Sequence, residues 1–306
     1  MAKTRWFKGN IHTHTSESDG DADPRTVVRW YRQHDYDFLV LSDHNHLTII
    51  DYAEGQRRFK RPLMVPGEEL SIRLSEGTIP VHINGIGINR MVEPIDAGDV
   101  VSTLQANVDA IHQAGGIASI NHPNYQWAFD HEALKQVVGA NLLEIFNGVD
   151  VANVDGAPGR PSYEQIWDGV LSAGRAIFGV ASDDSHNYSD FGPDQANPGR
   201  GWVVVRAEVL SSEAIVDAMA AGDFYASTGV ALSELDMSPE QVSLTIEPDQ
   251  DTEFTTAFTG RDGKLLHEQT GMDAKYDISG DEGYVRATVR DTNGKKAWTQ
   301  PVFTGR

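Results

Sequence analysis

His12 and His14 close an extended run that begins at Trp6, and two residues apart on an extended chain they point to the same side. Both rings could therefore reach one ion. The run 36–42 finishes in Ser42-Asp43-His44-Asn45, again imidazole beside carboxylate. The pattern recurs: Glu68 ends the run 63–68, His82 opens 81–88, His122 follows 116–121, and Asp183, Asp184 and His186 follow 176–182. If these runs are parallel strands of a (β/α) barrel, their ends meet on the face where such barrels carry active sites. Imidazoles and carboxylates without a single cysteine suit Mn, Fe, Zn or Co better than a purely oxygen-seeking ion. Glu69, next to Glu68, is expected to point the other way along its strand and is left out of the set.

The elements that must position these residues alternate. Apolar runs of strand length at 6–13, 36–42, 63–68, 81–88, 116–121, 141–146, 176–182 and 202–206 are separated by amphipathic stretches at 24–34, 100–114, 162–173 and 212–221. Asp23 and Pro24 form a start signal for the first helix, and Gly115 and Gly174 stop the second and third. Strand alternating with helix implies a mostly parallel sheet, open or closed. After Gly229 short β-rich runs separated by Asp-Gly, Gly-Asp and Asn-Gly turns predict a small antiparallel β domain. The expected division is 1–229 for an α/β catalytic unit and 230–306 for the β domain, with a packed join.

With 306 residues, the chain is long enough for one large core and a smaller one. No stretch reaches the roughly 18 apolar residues of a membrane span, and the start lacks an apolar signal segment, so a cytoplasmic location is expected. The net charge of −20 argues against stable binding to duplex nucleic acid. An anionic substrate would need bound cations to reverse the local field.

The segments HTHTSESDG, LSDHN, GEE, VHINGIGI, INHP and SDDSH resemble the motifs of the PHP superfamily, named for polymerase and histidinol phosphatase. They do so in order over residues 6–190. The stretch GWVVVRAEVLSSEAIVDAMAAGDFYASTG and the ending AWTQPVF resemble a subgroup with a C-terminal β domain. The resemblance implies a distorted (β/α)7 barrel of TIM-like type holding two or three divalent ions, with Mn, Fe or Zn expected, and metal-dependent hydrolysis of phosphoesters. Carried over by motif, His12, His14, Glu68 and Asp184 would hold one ion, Asp19, His44 and His186 a second, and Glu68, His82 and His122 a third. Asp19 stands where other members often carry His. The Asp-x-His spacing favours Asp184, with Asp183 left open. A hydroxide generated by the ions would be the nucleophile, so no protein nucleophile is required.

Asp43 is a candidate to orient a ligand histidine or shuttle a proton, and Arg200 a candidate to clamp a phosphate oxygen. Asn124, Tyr125 and Trp127 follow His122, where an aromatic ring could meet a leaving group. His34, His46, His112, His131 and His267 fall outside the motifs and are read as structural. The expected substrate is a small phosphorylated molecule. Trimming of short single strands, amidohydrolase chemistry and a non-catalytic metal-sensing role are the alternatives; the last two are disfavoured by the absence of a lysine at the strand ends and by a donor set larger than the four of a closed site.

Overall fold

A computed structural model describes residues 4–50, 62–249 and 252–305. Its strands are β1 (Arg5–Asn10), β2 (Phe38–Leu39), β3 (Leu63–Met64), β4 (Gly67–Leu74), β5 (Ile79–Ile86), β6 (Ile117–Ile120), β7 (Leu142–Asn147), β8 (Phe178–Ser182), β9 (Trp202–Ala207) and β10 (Phe224–Ser227). Five α-helices lie among the described residues: α1 (Pro24–Gln33), α2 (Val100–Gln113), α3 (His131–Leu134), α4 (Tyr163–Ser172) and α5 (Ser212–Ala220). The C-terminal strands are β11 (Leu232–Ser238), β12 (Gln241–Ile246), β13 (Phe254–Gly260), β14 (Lys264–Thr270), β15 (Asp273–Asp277), β16 (Tyr284–Asp291), β17 (Lys296–Trp298) and β18 (Val302–Phe303).

Local chemistry explains the helix ends. The Asp23 carboxylate accepts from the N–H groups of Arg25 and Thr26, with Pro24 in the first turn of α1. Ser162 and Gln165 form a reciprocal capping box at the start of α4. Gly115 and Gly174 lie just past the ends of α2 and α4 with φ of +82° and +78°, a conformation that halts a helix cheaply only for glycine.

The expectation of a mostly parallel sheet requires correction. β1–β2–β3 and β6–β7–β8 are parallel, but β4 pairs antiparallel with β5, and β5 with β6. The cause for the first pair is the connection: Ser75, Glu76 and Gly77 turn back at positive φ, leaving no room for a crossover helix. Three sheets result. One runs β4-β5-β6-β7-β8; a ten-stranded sheet runs β14-β13-β16-β17-β10-β9-β1-β2-β3, with β18 on β16; and β11-β12-β15 form a third. Among the described residues the sheets do not close into a continuous barrel. The first two share a buried core that includes Phe38, Leu142, Val180 and Val203, and they meet at both edges of the five-stranded sheet: β8 lies against β9 and β10, and single parallel bridges join Thr13 to Ser185 and His44 to Glu69. Both bridges join residues of the histidine-rich motifs.

The C-terminal strands are antiparallel, and β17 pairs with β10, so the large sheet runs unbroken across residue 229. A buried polar lock reinforces that seam. Arg286 of β16 donates from Nε to Asp168 Oδ1 and from Nη2 to Asp168 Oδ2, both at 2.8 Å, and Tyr284 donates its hydroxyl to the same carboxylate. The guanidinium also lies 4.9 Å from the Trp167 ring centroid.

Candidate metal centre

The segment after β1 is stitched to the segment after β8. Asp184 donates its N–H to the His12 carbonyl and His14 donates its own to the Ser185 carbonyl, both at 2.9 Å. That brings Asp184 Oδ1 within 3.1 Å of His12 Nε2 and 3.2 Å of His14 Nε2. Asp184 adopts φ of +50°, a left-handed conformation that those two hydrogen bonds hold in place. Its neighbour Asp183 is buried elsewhere, accepting from the N–H groups of Arg200 and Gly201 and the hydroxyl of Tyr31. Asp184 therefore faces the cluster, and Asp183 braces the loops behind it.

Glu69, not Glu68, enters the cluster. Residues paired across an antiparallel ladder point to the same side, and Ser71 pairs with His82 while Glu69 pairs with Asn84. Once His82 faces the cluster, Glu69 must too. Its Oε1 lies 3.3 Å from His12 Nε2, 3.2 Å from His82 Nδ1 and 3.3 Å from His122 Nε2. Its Oε2 lies 2.8 Å from His44 Nδ1 and 3.5 Å from His14 Nε2. Glu68 points to the opposite face, where its Oε1 accepts from the Val92 N–H at 2.6 Å and Oε2 has no partner.

Burial raises the Glu68 carboxyl from 4.5 to about 7. The folded state thus holds a proton there that the unfolded chain releases earlier, so this group makes stability fall as pH rises from 4.5 to about 7. Glu68→Gln removes that dependence. Thermal melts of wild type and variant are expected to diverge across this window, the variant gaining as pH rises; a gap independent of pH would refute the assignment.

The outer rim is built by Asp19, whose side chain is 56% exposed. Its Oδ1 lies 3.3 Å from His186 Nε2 and 3.6 Å from His14 Nδ1, and its Oδ2 3.4 Å from His44 Nε2. Gly20 allows the loop to fold this closely, since a Cβ there would sit 2.7 Å from the His14 carbonyl oxygen. Every residue expected as a ligand except Glu68 is thus brought together: His12, His14, Asp19, His44, His82, His122, Asp184 and His186. Their donor atoms form four overlapping groups, His14/Asp19/His44/His186, His12/His14/Glu69, His12/His122/Asp184 and His44/Glu69/His82, each with all donors within 4.8 Å of one another.

Burial opposes the proton on His12, but Asp184, Glu69 and Glu144 outweigh it and hold the ring well above its ordinary value. His44 is raised to about 10, burial being overcome by Glu69 and Asp19. His14, by contrast, is lowered to about 4 by burial and by His186, whose ring stacks 4.2 Å away. Burial disfavours the charged form of Asp19, yet His186 and His44 hold it well below the usual carboxylate range. A field that favours protons on His12 and His44 also favours a divalent ion competing for the same lone pairs. The residues fit such ions. Buried His12 Nε2, His14 Nε2, His82 Nδ1 and Glu69 Oε2 lack hydrogen bonds of good geometry and converge on the cluster, although an unpaired buried polar atom costs about 1–3 kcal/mol.

Four neighbours escaped the sequence reading. Glu144 of β7 lies 2.7 Å from His12 Nδ1 through Oε1 and accepts the His122 N–H at 2.7 Å through Oε2. An acid inside the apolar run LLEIF was the available signal. Ser71 Oγ lies 2.6 Å from His44 Nδ1, and Arg73, two residues further along the same face of β4, lines the cavity. Glu69 is the fourth. Glu144→Ala is expected to weaken metal binding about 10–100-fold, as loss of a partner that orients a ligand usually does. Metal titration with a competing chelator reads the change.

Asp43 and Arg200 are corrected. The Asp43 carboxylate accepts from the Thr15 N–H and hydroxyl, Ser18 Oγ and Thr48 Oγ1, so it braces the 15–20 loop and reaches a histidine only through Ser18, whose Oγ lies 3.4 Å from His14 Nδ1. Arg200 spends its guanidinium on the carbonyls of Gly148, Gly192 and Pro193, which leaves it tied to backbone rather than aimed at the cavity. Tyr125 lines the cavity, whereas Asn124 laces loops together and Trp127 lies under Arg160. Outside the cluster, His34 Nδ1 lies 2.7 Å from the Trp30 carbonyl and His112 Nε2 3.0 Å from Asn141 Oδ1. The cavity above the cluster measures about 360 Å³.

No protein-family model matches the sequence, and no curated protein does. Solved structures do. A two-domain Bacteroides vulgatus protein, described as containing a predicted PHP-like metal-dependent phosphoesterase, superposes with a TM-score of 0.55 at 17% identity, over 98% of this chain and 96% of that one. The fold is PHP-like. Two shorter structures match at lower TM-scores. A candidate metal-dependent phosphoesterase from Bifidobacterium adolescentis gives 0.43 at 17% identity, over 62% of this chain and 89% of its own. An amidohydrolase from Chromobacterium violaceum with bound sulfate and no metal gives 0.42 at 16% identity, over 62% and 93%. The likeness to the Bacteroides vulgatus structure extends over the C-terminal β strands as well as the cluster-bearing part. No helix among the described residues is long and apolar enough to cross a membrane.

Proposed function

We propose that this protein is a PHP-superfamily phosphoesterase holding two or three divalent ions, Mn, Fe or Zn, and acting on a small phosphorylated molecule in the cytoplasm. The observation that carries the reading is Glu69 amid five imidazoles, with buried ring nitrogens left unpaired toward it. His12, His14, Glu69 and Asp184 would hold one ion, Asp19, His44 and His186 a second, and Glu69, His82 and His122 a third. Bound there, the ions supply Lewis-acid polarisation of a phosphoryl oxygen and acidification of water.

The chain's own groups do the rest. Glu144, Ser71 and the Asp184 carbonyl engage the Nδ1 atoms of His12, His44 and His186, which leaves each Nε2 free to face the cluster. Arg73 offers the cavity's guanidinium to an anionic oxygen, the part expected of Arg200. The ring of strands joined by the Thr13–Ser185 and His44–Glu69 bridges is read as the distorted (β/α)7 barrel of that superfamily, with 1–229 as catalytic unit and 230–306 as β domain.

Elemental analysis of the purified protein is expected to find two or three equivalents of metal. The same sample should hydrolyse p-nitrophenyl phosphate or bis-p-nitrophenyl phosphate, and a chelator should abolish this. Fully metal-loaded protein inert toward a broad phosphoester panel would overturn the reading.

A further inference from the structure

The cavity above the cluster is not ionic all round. Tyr125 stands with its ring 5.3 Å from His122 and 6.3 Å from His82, and Val149 and Val151 continue the same lining. Val151 is 59% exposed, an apolar side chain left open at the mouth of a charged site. Taking the cluster as a phosphoester centre, we propose that Tyr125, Val149 and Val151 form the subsite for the leaving alcohol, and that this alcohol carries a planar ring, as in a benzyl ester.

The wall is built rather than incidental. Asn147 donates to Asp184 Oδ2 at 3.1 Å and accepts the Val149 N–H at 2.9 Å, so the position of Val149 is tied to a carboxylate of the cluster. Asn124 donates to the carbonyls of Asn153 and Pro161, and Asn153 donates back to the Asn124 carbonyl, lacing the loop that bears Tyr125 to the loop that bears Val151. Gln126 and Trp127 hold φ of +52° and +56°, costly for side-chain-bearing residues, and such conformations persist where surrounding contacts fix them.

Chemistry then selects the ligand. A planar ring can lie against Tyr125 and the valines and give up its hydration at little cost. A polyhydroxylated alcohol would set its hydroxyls against valine methyl groups that offer them no partner. Arg73 comes from β4, which β5 and β6 separate from β7 in the sheet order, so the cavity's cation and its apolar wall occupy different sides of the cluster. An ester with its charge on one part and its ring on another matches that division.

Benzylphosphonate and methylphosphonate, which cannot be hydrolysed, test the subsite by calorimetric titration of the metal-loaded protein. The wild type is expected to bind the benzyl compound about tenfold more tightly, the order of magnitude of an aromatic contact. In Tyr125→Ala/Val151→Asn, shown by melting and metal content to be folded and loaded, the preference is expected to vanish. Equal affinities in the wild type, or a preference that survives in the variant, would overturn the subsite while leaving the phosphoester centre standing. Failure of both phosphonates to bind the loaded wild type would instead sink the phosphoester reading, and the subsite with it.

Discussion

Glu69→Ala is expected to lose metal and turnover together, whereas Glu68→Gln keeps both. Among the described residues Glu69 is the one carboxylate in contact with His12, His14, His44, His82 and His122, and two of the four donor groups need it. Its removal should therefore cost more than the roughly 10–100-fold that follows loss of a partner behind a ligand. Glu68 touches the Val92 N–H on the far face of β4, and an amide there can accept the same bond. Metal content by elemental analysis and kcat on the preferred ester read both variants. Metal retained in Glu69→Ala, or lost in Glu68→Gln, would reverse the assignment on β4.

Breaking the seam lock should unfold the protein more readily than any change at the cluster. Arg286 is 2% exposed and its charge is matched by Asp168, with Tyr284 completing the hydrogen bonding. Removing Asp168 leaves the buried guanidinium only the longer contact to Glu164, 3.5 Å from its Nη1, and losing one partner of a buried pair costs up to about 3–5 kcal/mol. Asp168→Ala is thus expected to lower the midpoint of denaturant unfolding sharply. Asp168→Leu/Arg286→Met should recover most of the loss, since an apolar pair of similar volume often replaces a buried ion pair without penalty. If the double variant is as unstable as the single one, the pair does more than balance charge. Because the lock joins α4 to β16, separate unfolding of the two halves in Asp168→Ala would show that it also couples them.

What could be read from sequence follows from what is local. A helix start at Asp23-Pro24 and helix stops at Gly115 and Gly174 depend on a few neighbouring residues, and all three are realised. The histidines of the strand-end motifs were legible because imidazole is rare enough that repeated placement after apolar runs stands out, and the structure gathers every one of them. The choice between adjacent acids was another matter. In Glu68-Glu69 and Asp183-Asp184 the two candidates differ by one residue, and a shift of one along an extended chain changes the face. The Asp-x-His spacing pointed to Asp184, which the structure turns toward His12 and His14, while nothing local pointed to Glu69.

Residue types and their order along the chain are enough for the inventory: the donor types, their attachment to strand ends, and the acidic, cysteine-free composition that makes cations at the cluster chemically reasonable. Which donors meet depends on the folded chain. The antiparallel β4–β5 ladder turns Glu69 inward with His82, and the two bridges at Thr13–Ser185 and His44–Glu69 join sheets whose strands are far apart in the chain. Asp43 and Arg200 were drawn away by backbone groups that come near only after folding. Periodicity reports the face of an element, but the partner across that face is set by register and sheet order, which no short stretch of sequence contains.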